Sequence, residues 1–72
     1  MKIKCNNNIR KLRFFHSEMT QLELAERTGV SRQTINAIEA GKYLPSLELA
    51  FCLAEVFQVS LSEVFTYEVI EK

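Results

Sequence analysis

Apolar residues along most of the chain recur at intervals of three and four, and short polar clusters interrupt them at regular distances. That is the spacing of helices with one buried face. Ile9, Leu12 and Phe15 form the first set, behind Asn6-Asn7-Asn8, whose side chains can cap free backbone N–H groups. The pattern predicts a first helix ending near His16 or Ser17. A second opens at "TQLE", where Thr20 can accept from the N–H of Glu23, Glu23 can reach back, and Met19 can pack on Leu24, giving a full capping box with a hydrophobic staple. It runs to Thr28 and stops at Gly29, a residue that tolerates the left-handed conformation ending a helix. Ser31 caps a third helix, which turns Ile35 and Ile38 inward and ends at Gly41. A fourth follows Pro45 with Ser46 as cap and carries Leu49, Ala50, Leu53, Ala54 and Phe57 in a stripe. "SLSE" opens a short fifth through a second capping box, Ser60 with Glu63.

The two ends follow a different period. "MKIKC" and "FTYEVIEK" alternate, which predicts strands at about 1–5 and 65–70. Paired antiparallel, they would set Lys2 or Lys4 opposite Glu68 or Glu71 and Ile3 beside Tyr67 or Val69. A two-stranded ribbon alone is marginal, so it must lean on something. The expected fold class is therefore all-α: five helices, with a small antiparallel β-ribbon made from the two termini. Seventy-two residues suffice for one such domain, 1–72, and leave no room for a separate ligand domain.

Composition adds exclusions. No apolar run approaches the roughly 18 residues of a membrane span, and no secretory signal is present, so a cytoplasmic location and no membrane partner are expected. Cys5 and Cys52 lack CxxC spacing and neighbouring histidines, which favours two reduced, structural thiols over a zinc site or a bridge. There is no nucleophile with a base at suitable spacing, no Gly-rich phosphate loop and no paired metal ligands, so neither an enzyme nor a cofactor is implied. His16, the only histidine, is read as packing. Net charge is zero, but residues 1–13 hold Lys2, Lys4, Arg10, Lys11 and Arg13 without an acid, whereas residues 46–72 hold five glutamates against Lys72 alone. Binding to a polyanion depends on the local patch, not on the sum.

The segment "GVSRQTINAIEAG" concentrates the candidate chemistry. With Ile35 and Ile38 inward, Gln33, Asn36, Ala37 and Ala40 point the opposite way, with Arg32 and Thr34 on the flanks. Two helices joined by a tight glycine turn, with Ala25 and Gly29 where the helices approach, form the pattern of a helix-turn-helix. Amide and guanidinium groups pair bidentately with adenine and guanine edges in the major groove, and alanines let a helix sink deep enough to use them. An ordinary solvated helix face would be polar too; the surrounding motif decides between the two.

Gln21, Leu24, Ala25, Gly29, Val30, Ser31, Ile35, Ile38, Glu39 and Gly41, followed by Pro45-Ser46, resemble the phage repressor (Cro/repressor-type) helix-turn-helix family at its own spacings from Thr20 through Phe65. The resemblance implies a sequence-specific DNA-binding transcriptional regulator with double-stranded DNA as its partner. By it, Gln21 contacts phosphate and supports a base-reading residue; Ser31, Arg32, Gln33, Thr34 and Asn36 lie at bases or nearby phosphates; Lys42 and Tyr43 grip the backbone. It also pairs Arg13 with Glu39, tying helix one to helix three. A homodimer through helix four, where Phe51, Cys52 and Val56 widen the apolar side, and through the terminal segments would read an inverted-repeat operator. Repression by blocking RNA polymerase is the expected outcome, and contact with polymerase is the route by which it would activate instead. The chain departs from the family pattern between Arg13 and Thr20, with one residue more and no glycine, and at Gln58, where a glycine or asparagine is usual. Two rivals stand beside this reading: an antitoxin-like module that masks a protein partner and binds DNA secondarily, favoured by a groove around Phe14, Leu22 and Phe51, and a non-specific or RNA-binding helical domain.

Overall fold

In the computed structural model, which describes residues 1–72, the elements run β1 (Lys2–Asn7), α1 (Ile9–Phe15), α2 (Gln21–Thr28), α3 (Arg32–Glu39), α4 (Leu47–Phe57), α5 (Leu61–Val64) and β2 (Phe65–Glu71). The five expected helices are present. The class is nevertheless not all-α, because β1 and β2 pair antiparallel into a two-stranded sheet. Lys4 faces Glu68, Ile3 faces Val69 and Lys2 faces Glu71, with an irregularity between Lys2 and Ile3. The strands outrun the predicted 1–5 and 65–70 because Asn6 and Asn7 continue the ladder opposite Thr66 and Phe65.

The asparagines cap α1 in an unexpected way. Asn8 occupies the cap position without a side-chain cap bond. Instead the Asn7 Oδ1 accepts from the Ile9 N–H at 3.2 Å while its Nδ2 donates to the Ile38 carbonyl at 3.0 Å. One amide thus starts α1 and ties it to the end of α3. Asn8 faces the other way: its backbone N–H donates to Val64 and its Nδ2 to Glu63.

Ile9, Met19, Leu24, Ala25, Ile35, Ile38, Leu53, Ala54, Phe57 and Val64 form one buried cluster drawn from α1 to α5, with Leu12, Val30, Leu49, Val56, Val59 and Phe65 packed around it. Phe15, expected inside, is 68% exposed. As the last residue of α1 it has no turn above it, and His16 takes the inward place, its ring edge-on to Phe57 at 5.2 Å and its Nδ1 donating to the Leu12 carbonyl. Both cysteines are free and exposed, so neither is the core residue a structural thiol would be.

Helix starts follow the local chemistry. Thr20, Ser31 and Ser46 each accept from the backbone N–H three residues on, at 3.0 to 3.1 Å. At Thr20 only this half of the expected box forms, whereas at α5 the Glu63 carboxylate does reach back to the Ser60 N–H at 3.0 Å. Helix ends share one device: Gly29 (φ 76), Gly41 (φ 75) and Gln58 (φ 55) are left-handed, and the next N–H closes back on Ala25, Ala37 and Ala54 respectively. Gly29 is there for this conformation and not for a close approach, since a Cβ at that position would meet nothing within 4 Å; Ala25, by contrast, is buried.

Candidate nucleic-acid interface

Three connections hold α3 against the body. Ile35 and Ile38 enter the core, Asn7 binds the Ile38 carbonyl, and Glu39 receives Arg13 in a two-pronged ion pair, Nε to Oε2 and Nη2 to Oε1, each at 2.9 Å. Arg13 also donates Nη1 to the Met19 carbonyl at 2.8 Å. The turn between α1 and α2 aims that carbonyl inward by placing Ser17 (φ 57) and Glu18 (φ 52) in the left-handed region in succession. The additional residue and missing glycine before Thr20 are absorbed there, and the Arg13–Glu39 register survives.

With Glu39 engaged below, the outward side of α3 is free of acid. Arg32, Gln33, Asn36 and Ala40 are exposed, and Thr34 and Ala37 are half-buried on its flanks. Arg32, Gln21 and Asn36 are joined on the surface: Arg32 Nη1 donates to Gln21 Oε1 at 3.3 Å, and Gln21 Nε2 donates to Asn36 Oδ1 at 3.2 Å. Gln21 thereby orients two α3 side chains from the first turn of α2. Exposed Gln33 stands outside this chain of bonds. The Ser31 hydroxyl is committed to its cap and lies 3.0 Å from the Thr34 hydroxyl. Lys42 and Tyr43 follow Gly41 as exposed residues, the Lys42 N–H closing the end of α3 on Ala37.

Arg10, Arg13, Gln21, Asn36, Glu39 and Ala40 line a cleft of about 410 Å³ between α1 and this face. Sequence reading did not single out Arg10 as a contact residue. Its only signal is membership of the acid-free N-terminal cluster, because the proximity of α1 to α3 is a tertiary fact.

Phe14 lines another cleft with Asn7, Asn8, Arg10, Lys11 and Phe15, in which neither Leu22 nor Phe51 takes part.

The profile of the helix-turn-helix family matches residues 9–64, from the start of α1 to the end of α5. The chain belongs to the helix-turn-helix family. It is 52% identical over 62 residues to the uncharacterized HTH-type transcriptional regulator MJ0272 of Methanocaldococcus jannaschii, covering 86% of this chain and 92% of that protein. YgzD of Bacillus subtilis, also named as an uncharacterized HTH-type transcriptional regulator, is 42% identical with the same two coverages. BcrR of Enterococcus faecalis, an HTH-type transcriptional activator, is 35% identical over 63 residues, which span 88% of this chain and 30% of that longer protein. A Bacteroides fragilis protein provisionally described as DNA-binding has a crystal structure that aligns at a TM-score of 0.74 and 27% identity, over 86% of this chain and 98% of that one.

Proposed function

We propose that this helix-turn-helix chain is a sequence-specific DNA-binding transcriptional regulator that acts, as a homodimer in the cytoplasm, by occupying an inverted-repeat operator. The observation that carries the reading is the acid-free outer face of α3, whose Arg32 and Asn36 are pre-oriented by Gln21. Relatives named as transcriptional regulators support it. Arg32, Gln33 and Asn36 read base edges, with Ser31 and Thr34 at the entry of the groove, while Lys42 and Tyr43 hold the backbone beyond the end of α3. Each good bidentate pair discriminates by roughly 1 to 3 kcal/mol.

Two copies of α3 about 34 Å apart reach successive major grooves on one side of a duplex. Support for two copies comes from an apolar cleft of about 310 Å³ lined by Cys5, Leu44, Pro45, Leu47, Ala50, Leu61 and Phe65, open to solvent in one chain. Occupancy blocks RNA polymerase and represses; contact with polymerase is the activating alternative. Selection of bound sequences from a random duplex pool tests the reading. It should enrich an inverted repeat with half-site centres about 10 base pairs apart, and a pool that emerges without enrichment rejects it.

A protein partner is the second reading. Phe14 and Phe15 are packed edge to face at 5.4 Å with both rings exposed, and Arg10 and Lys11 flank them. A second polypeptide that co-purifies with the chain and is lost with Phe14→Ser would favour it.

A further inference from the structure

Of the five positive side chains in residues 1–13, three bind or face an acid in the fold. Arg13 is bound to Glu39, and Lys2 and Lys4 face Glu71 and Glu68 across the ribbon. Arg10 and Lys11 form no ion pair; Arg10 lines one cleft with Glu18 and another with Gln21, Asn36, Ala40 and Glu39, the last already held by Arg13, and Lys11 lines neither. Arg10 is also exposed, so its guanidinium can turn without breaking an ion pair. Gln21, expected from the family resemblance to hold phosphate, already spends its carbonyl on Arg32 and one amide N–H on Asn36.

We propose that Arg10 is a DNA phosphate-binding residue, holding the backbone beside the start of α2 while Gln21 serves to orient Arg32 and Asn36. The inference rests on the DNA-binding reading and divides its labour: a contact from α1 that fixes the depth and tilt of α3, and a separate set on α3 that reads sequence. A guanidinium without an ion-pair partner, at the mouth of a cleft whose other arginine is neutralised, attracts a phosphate, and its planar fork suits phosphate oxygens. Phosphate contacts of this kind position a protein without reading bases.

The test is a salt titration of duplex binding by the full-length chain, its Arg10→Gln variant and its Arg10→Lys variant, on the selected operator and on random duplex. Arg10→Gln should flatten the plot of log affinity against log salt by about 0.9, and so weaken binding about eightfold at 0.1 M relative to 1 M salt. The loss should be equal on both duplexes, and Arg10→Lys should restore the slope. Thermal unfolding of Arg10→Gln should match the parent, because the side chain is exposed. A variant with the parent's slope, or one that loses discrimination among operators instead of uniform affinity, overturns the assignment while leaving the DNA-binding reading standing. A parent chain that binds neither duplex overturns both.

Discussion

Arg13 and Glu39 show how much one pair of residues carries. Their side chains are 16% and 9% exposed and meet through two parallel hydrogen bonds, so removing one partner strands the other in a nearly closed site. Glu39→Ala should cost about 3 to 5 kcal/mol, a large part of the roughly 4 to 11 kcal/mol available to a chain this short. Urea unfolding measures the loss, and a drop under about 0.5 kcal/mol, the range of ordinary surface substitutions, would show that the pair is ornamental. Lys42→Ala should leave stability unchanged and flatten the salt slope by about one unit, as a backbone contact does. The pairing of Arg13 with Glu39 was legible in the sequence through the family's spacing. The bridge from Asn7 to Ile38 was not, because nothing local distinguishes an asparagine that caps from one that also spans 31 positions.

Helix starts were the most readable feature of the elements, since a hydroxyl accepting from the N–H three residues on is a property of four adjacent residues. Ends were readable where glycine marks them, at Gly29 and Gly41. The left-handed pair Ser17–Glu18 was not, as neither residue type prefers that conformation and only the surrounding packing imposes it. Gln58 lies between these cases: its place at the end of α4 was clear, and its φ of 55 shows the strain expected there. Its Nε2 recovers part of the cost by donating to the Glu55 carbonyl at 2.8 Å. Gln58→Gly should therefore stabilise the chain by about 0.5 to 1 kcal/mol, the left-handed penalty minus the greater entropy loss of glycine. For a domain of this size that is a rise of roughly 2 to 8 °C in Tm, and an unchanged or lower Tm would mean that the side-chain bond outweighs the backbone strain.

At the scale of the whole molecule, the ribbon is the part that one chain leaves unfinished. The fold measures 39 × 21 × 19 Å, and outside Asn7 and Phe65 every ribbon residue is exposed, Tyr67 at 68%. A two-stranded ribbon is marginal without packing, and the apolar cleft at its base runs onto exposed Leu44 and Leu47. The proposed homodimer covers this side. The chain should sediment as a dimer with a Tm that rises with concentration, and Leu47→Glu should yield a folded monomer with weakened operator binding; a parent that sediments as a monomer throughout would contradict the symmetric operator. Whole-molecule arrangement was the least legible scale, because the place of Arg10 beside Asn36 follows from helix packing alone. The central claim remains that α3 presents a reading surface, and the most direct measurement is the affinity of Arg32→Ala and Gln33→Ala for every single-base variant of the selected operator. The account predicts that each substitution erases preference at its own base pairs in both half-sites while the fold persists. If both proteins rank all operator variants as the parent does, α3 is not the reader.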